Sequence, residues 1–123
     1  MTANTKKTLV LGASANPARY SFLAINKLRE HHHPVVAIGK RPALVADVPV
    51  DVKANPLDDL DTVSVYLNKE NQKSYYDYIL SQHPQRVIFN PGAENPEFEL
   101  ILANKGIKAI EACTLVLLST GQY

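Results

Sequence analysis

The chain has 123 residues, a formal net charge of +1, 46% hydrophobic residues and 20% charged ones. That length suits one domain, spanning residues 1–123, with a self-sufficient apolar core. The near-neutral charge excludes a broad basic field for nucleic acid or an anionic membrane, and no apolar run approaches the ~20 residues of a membrane span.

In chain order, the opening MTANTKK lacks the apolar middle of a secretory signal. Cys113, the one cysteine, has no internal disulfide partner. Together they lead to the expectation of a reducing cytoplasm. Thr8–Leu11 then reads as a first strand, short, apolar and ended by Gly12. Asn16-Pro17 offers a helix start, with Ala24, Ile25 and Leu28 on one face. Val35–Ile38 reads as strand two. The stretch from Arg41 to Asp61 is irregular, with one short strand expected near Val50 and Val52 and a helical turn at Leu57–Leu60. Thr62–Leu67 is the third main strand. One helix is expected after Asn68, placing Tyr75, Tyr78 and Ile79 together. Arg86–Asn90 is strand four, a helix follows Asn95-Pro96, and Gly106 stops it before strand five at Lys108–Glu111. Cys113–Ser119 is a final short helix with Gly121 ending it.

Alternating strands and helices predict an α/β fold: one parallel sheet with helices on both faces. The default strand order is 3-2-1-4-5, a single Rossmann-like domain with its crevice between strands 1 and 4 at their carboxyl ends. Two loops would flank that crevice, GASANP and NPGAENP, each turning into a helix N-terminus suited to an anion. The first is not a full dinucleotide fingerprint. Only Gly12 remains of its glycines, and Ser14 and Pro17 stand at the others. The Ser14 hydroxyl can instead donate to a phosphate. After strand two, where an NAD site places a carboxylate, stand Lys40 and Arg41. Two cations suit an additional ribose phosphate, as in NADP or coenzyme A. A solvated basic turn and an ordinary strand–helix turn are the plain structural readings of these two loops.

GASANPARYS, GKRP, FNPGAENPE and GIKAIEACTLVLL, taken together, resemble the small CoA-binding-domain proteins, themselves similar to the nucleotide-binding domain of the succinyl-CoA synthetase α subunit. The resemblance runs from about Lys7 to Leu118. It implies a coenzyme A or acyl-CoA ligand held by its ADP part. It implies Gly12, Ala13 and Ser14 at the phosphates and Arg19 and Ser21 at the polar start of the first helix. Lys40 and Arg41 match the basic position, Tyr66 and Leu67 the end of the third strand, and Asn90, Pro91 and Gly92 the turn beside the pantetheine arm. The chain has AIGKRP where many relatives carry a VNP-like stretch. The resemblance excludes the synthetase's second domain, so no synthetase activity is implied.

Other polar residues carry weaker signals. His31, His32 and His33 are adjacent and point apart, so a surface loop is expected rather than a metal site. Cys113 sits where a nucleophile could, but a small buried residue is the plainer reading. Glu94 and Glu111 could face the crevice as acid or base. No catalytic constellation is visible and no metal is expected. The sequence therefore predicts a binding module for a small nucleotide ligand, with no membrane or nucleic acid, and with an acyl-transferring protein as a potential partner. The alternative is a small NADP-dependent oxidoreductase.

Overall fold

The first strand, β1 (Thr8–Ala13), is the middle strand of the molecule. Thr8, Leu9, Val10 and Leu11 are all fully buried, as apolar and β-branched residues should be when both sheet faces are covered. The computed structural model describes residues 5–123, so the first four residues of MTANTKK lie outside the described residues.

The sheet has seven strands in the order β3-β4-β2-β1-β5-β6-β7. Its other members are β2 (Val35–Gly39), β3 (Ala43–Val45), β4 (Val48–Asp51), β5 (Thr62–Val65), β6 (Arg86–Phe89) and β7 (Lys108–Glu111). All pairings are parallel except β3 with β4. The α/β class is thus as read from the sequence, but the expected order 3-2-1-4-5 is corrected. The third main strand, β5, pairs with β1 and not with β2. Its expected place is taken by β4, part of a hairpin from the stretch where only one short strand was expected. The chain therefore reverses between β1 and β5, and the crevice opens there. No helical turn forms at residues 57–60, where the backbone only bends.

α1 (Tyr20–Glu30) and α5 (Thr114–Ser119) pack on one face, through Ile25, Leu28 and Leu118. The other face is covered by α3 (Tyr76–Gln82) and α4 (Pro96–Asn104), through Ile79, Phe98 and Leu102. Two expected helices start or run differently. α1 begins at Tyr20 rather than at Pro17. The Asn16 side chain accepts from the Ala18 N–H at 3.0 Å and its carbonyl accepts from Arg19 N–H at 3.0 Å, so local turn bonds displace the helix start. After Asn68 the chain forms a short helix, α2 (Lys69–Gln72), then a 3₁₀ turn at Lys73–Tyr75, then α3, in place of one helix.

Asn95-Pro96 does cap α4: Asn95 Oδ1 accepts from Phe98 N–H at 3.1 Å. Gly106, at φ +76°, ends the same helix. His33 departs from the expected surface loop. It is buried at 6% exposure, with Nδ1 accepting from Lys6 N–H at 2.9 Å and its ring 4.8 Å from that of Tyr123. Among the described residues no helix is long and apolar enough to cross a membrane.

Candidate functional site

Gly12 shapes the turn at the end of β1. Its φ is +90°, and the β1–β2 register shifts between Leu11 and Ala13. A side chain there would meet Leu67 Cδ2 and the Tyr66 carbonyl carbon at 3.0 Å, so only glycine fits. Beyond the turn, Ser14 N–H donates to Ser21 Oγ at 3.1 Å, and Asn16 N–H donates to Ser14 Oγ at 3.1 Å. These bonds fold the loop onto the start of α1. Arg19, the residue before that helix, makes no side-chain cap, and no bond among the described residues takes the Tyr20 or Ser21 N–H. The positive end of the helix dipole is left open.

That end faces a cleft of about 1140 Å³ along the carboxyl ends of β1, β2 and β5. Gly12, Ala13, Ser14, Arg19 and Ser21 line its floor, Lys40 and Arg41 one side, and Tyr66 and Leu67 the opposite side, closed by Pro91 and Gly92. The lining holds three cations, Arg19, Lys40 and Arg41, and no carboxylate. All three are exposed, and among the described residues none is in an ion pair. Such a one-signed surface favours a polyanion. A smaller hollow of about 250 Å³, between β2 and β4, is lined by Val35, Val36, Ala37, Pro49, Val50 and Asp51 and offers no cation.

One expected contact lies elsewhere. Asn90 is 2% exposed and sits beneath the cleft rather than in its lining. Its Nδ2 donates to Ser64 Oγ at 3.0 Å and to the Val65 carbonyl at 2.9 Å, and its Oδ1 accepts from Thr114 N–H at 2.8 Å. The asparagine ties β5 and β6 to the start of α5. Tyr66 lines the cleft, but its hydroxyl is buried without a hydrogen-bond partner. Burial is the main cause that pushes this hydroxyl up to about 12, against the pull of the nearby Ser64 and Thr114 hydroxyls.

Neither glutamate of interest lines the cleft. Glu94 Oε1 accepts from Gly92 N–H at 3.0 Å and shapes that turn. Glu111 lies by Glu99, whose hydrogen bond and charge raise its pKa. Half-buried Cys113 precedes α5, outside the cleft lining. Among the described residues no three metal-ligating side chains come together.

The sequence reading missed one wall. Asn68, Asn71, Ser74 and Tyr75 also line the cleft, beside Tyr66 and Leu67. The Asn68 cap, accepting from Asn71 N–H at 2.9 Å, is a visible helix-start signal. That this helix faces the crevice follows from the position of β5 beside β1.

A family model for the CoA binding domain matches residues 6–119. The chain belongs to the CoA-binding domain family. Its membership supports coenzyme A binding in general terms. An uncharacterised protein of known crystal structure is 44% identical, with a TM-score of 0.94 over 97% of this chain and 98% of that one. A hypothetical protein from Pyrococcus horikoshii, 18% identical, superposes with a TM-score of 0.85 over 95% of this chain and 84% of its own. A protein from Thermus thermophilus, 22% identical, gives 0.80 over 97% and 91%. These two show the shared fold alone. No curated protein matches the chain. The residues of this CoA-binding domain suit an anionic ligand of that class: α1 leaves open N–H groups at the cleft, and three exposed cations line it.

Proposed function

We propose that the protein binds coenzyme A or an acyl-CoA as a nucleotide-binding module. The observation that carries this reading is the cleft lining, three cations and no carboxylate around an uncapped helix N-terminus. In it, Lys40 and Arg41 meet the ribose phosphate, and the Gly12–Ser14 turn with the start of α1 meets the pyrophosphate. The arm then runs between Tyr66–Leu67 and Pro91–Gly92. The cleft volume of about 1140 Å³ is somewhat above the roughly 300–1,000 Å³ of small-molecule sites, as an extended ligand needs. Chemistry on the acyl group belongs to a partner protein in this reading, and a single cysteine without a disulfide partner supports a cytoplasmic module.

A second reading, an NADP site, is favoured by the same basic pair, since a 2′-phosphate would also meet it. Thermal shifts separate the two, because a ligand that binds only the folded state raises its stability by mass action. Coenzyme A should give a larger shift than NADP, and NADP a larger one than NAD. The largest shift with NADP would favour the second reading, and the largest with NAD would overturn both.

A further inference from the structure

Gln72 is an amide buried to 1% exposure at the end of α2. Its Nε2 donates to the Leu67 carbonyl at 2.8 Å and to the Ala93 carbonyl at 2.7 Å. Its Oε1 accepts from Asn95 Nδ2 at 2.9 Å, which also donates to the Tyr76 hydroxyl at 2.8 Å. Leu67 and Ala93 are cleft-lining residues on two different loops, after β5 and after β6. Strand pairing between β5 and β6 ends at Val65 and Phe89, short of both. Gln72 therefore bridges the loops where the sheet no longer does.

A buried amide is costly unless its polar atoms are paired, and an apolar residue would fill this space without that requirement. Both amide protons here are spent on cleft carbonyls. Leu67 in turn stands against Gly12, so its position bears on the cleft floor as well.

We propose that Gln72 is a positioning residue. It holds the wall remote from the basic pair, and that wall, with the exposed Asn71 and Ser74, seats the amide-bearing arm of the ligand. The proposal rests on the coenzyme A reading above. The test compares coenzyme A with adenosine 3′,5′-bisphosphate, which carries the ribose phosphate but no arm. Gln72→Met keeps much of the side-chain volume and removes both donors. By isothermal titration, this variant should bind coenzyme A roughly tenfold more weakly, because the two loops are no longer tied in the arrangement that receives the arm. Adenosine bisphosphate should stay within about twofold.

Asn95→Asp is the second variant, for use if Gln72→Met fails to fold. It keeps the oxygen that caps α4 but loses the donor to Gln72, and should show the same selectivity at roughly threefold. A merely structural role would weaken both ligands alike. Equal weakening in a folded variant, or undiminished coenzyme A binding, overturns the proposal. Wild-type protein that binds neither ligand instead overturns the proposed function, and this inference with it.

Discussion

Tyr66, in the cleft lining, and Asn90, beneath it, use their polar groups in opposite ways. The Tyr66 hydroxyl is buried and unpartnered, next to a Ser64–Thr114 hydroxyl pair that is already closed at 2.8 Å. A buried group with no partner costs free energy rather than adding it. Tyr66→Phe should therefore leave stability unchanged or raise it by up to about 1 kcal/mol in urea denaturation. A clear loss would mean that the hydroxyl has a partner after all. Asn90 is the opposite case, with donor and acceptor both used. Asn90→Ala should cost roughly 2–4 kcal/mol, because it leaves Thr114 N–H unpaired and the Val65 carbonyl with only the long 3.4 Å bond from the residue 90 backbone N–H. The folded variant should lose affinity for coenzyme A and adenosine bisphosphate to the same extent. A loss confined to coenzyme A would return Asn90 to the arm contacts that the family resemblance implies.

At the scale of elements, the connections around β2 carry the charge chemistry. Its carboxyl end delivers Lys40 and Arg41 to the cleft. Lys40→Ala combined with Arg41→Ala should weaken coenzyme A by about one to three orders of magnitude, given charged hydrogen bonds of roughly 1.5–3 kcal/mol each. Dephospho-coenzyme A, without the ribose phosphate, should lose much less. Equal losses for both ligands would detach the basic pair from that phosphate. The α1–β2 connection at the other end carries His33. Burial lowers its pKa first, then the charges of Lys6, His31 and Arg86, with Asp61 opposing them. The folded state thus favours the neutral ring, which keeps Nδ1 available to Lys6 N–H. The sign follows: this contribution is intact above the ordinary value of 6.5 and is lost as pH falls from there through the lower folded value. Urea midpoints followed from about pH 7.5 to about pH 5.5 should fall more for the native chain than for His33→Gln. Parallel curves would exclude His33 as the cause.

At the scale of the whole molecule, the reversal of the chain between β1 and β5 makes the site. It places the Gly12 turn, the basic pair and the wall behind Asn71 around one crevice, though they come from separate crossovers. The helices on both faces hold the strands, and the carboxyl-end loops are left to line the cleft. The amino ends of the strands are closed differently. Arg86 lies over the Tyr123 ring at 4.3 Å while its Nε donates to Thr62 Oγ1 at 2.8 Å, and Tyr123 hydrogen-bonds Thr8. One end of the sheet is sealed by side chains and the other is open.

Local sequence signals carry the α/β class, the buried β1, the cap at Asn95-Pro96 and the places of Gly12, Lys40 and Arg41 at the ends of the first two strands. Each rests on a signal within a few residues: a short apolar run, an Asn-Pro pair, a glycine after a strand. The tertiary structure alone decided the strand order, because pairing partners are chosen by competition between distant segments. A β3–β4 hairpin from an irregular stretch took the flank of β2 and moved β5 beside β1. It also decided which polar residues face the cleft. Asn90 bonds to Ser64, 26 positions away, and Gln72 to Ala93, 21 away, whereas Asn71, one residue before Gln72, lines the cleft. Local pattern cannot separate two such neighbours. Which of them is paired inside and which is left at the cleft depends on where the rest of the chain has placed its carbonyls.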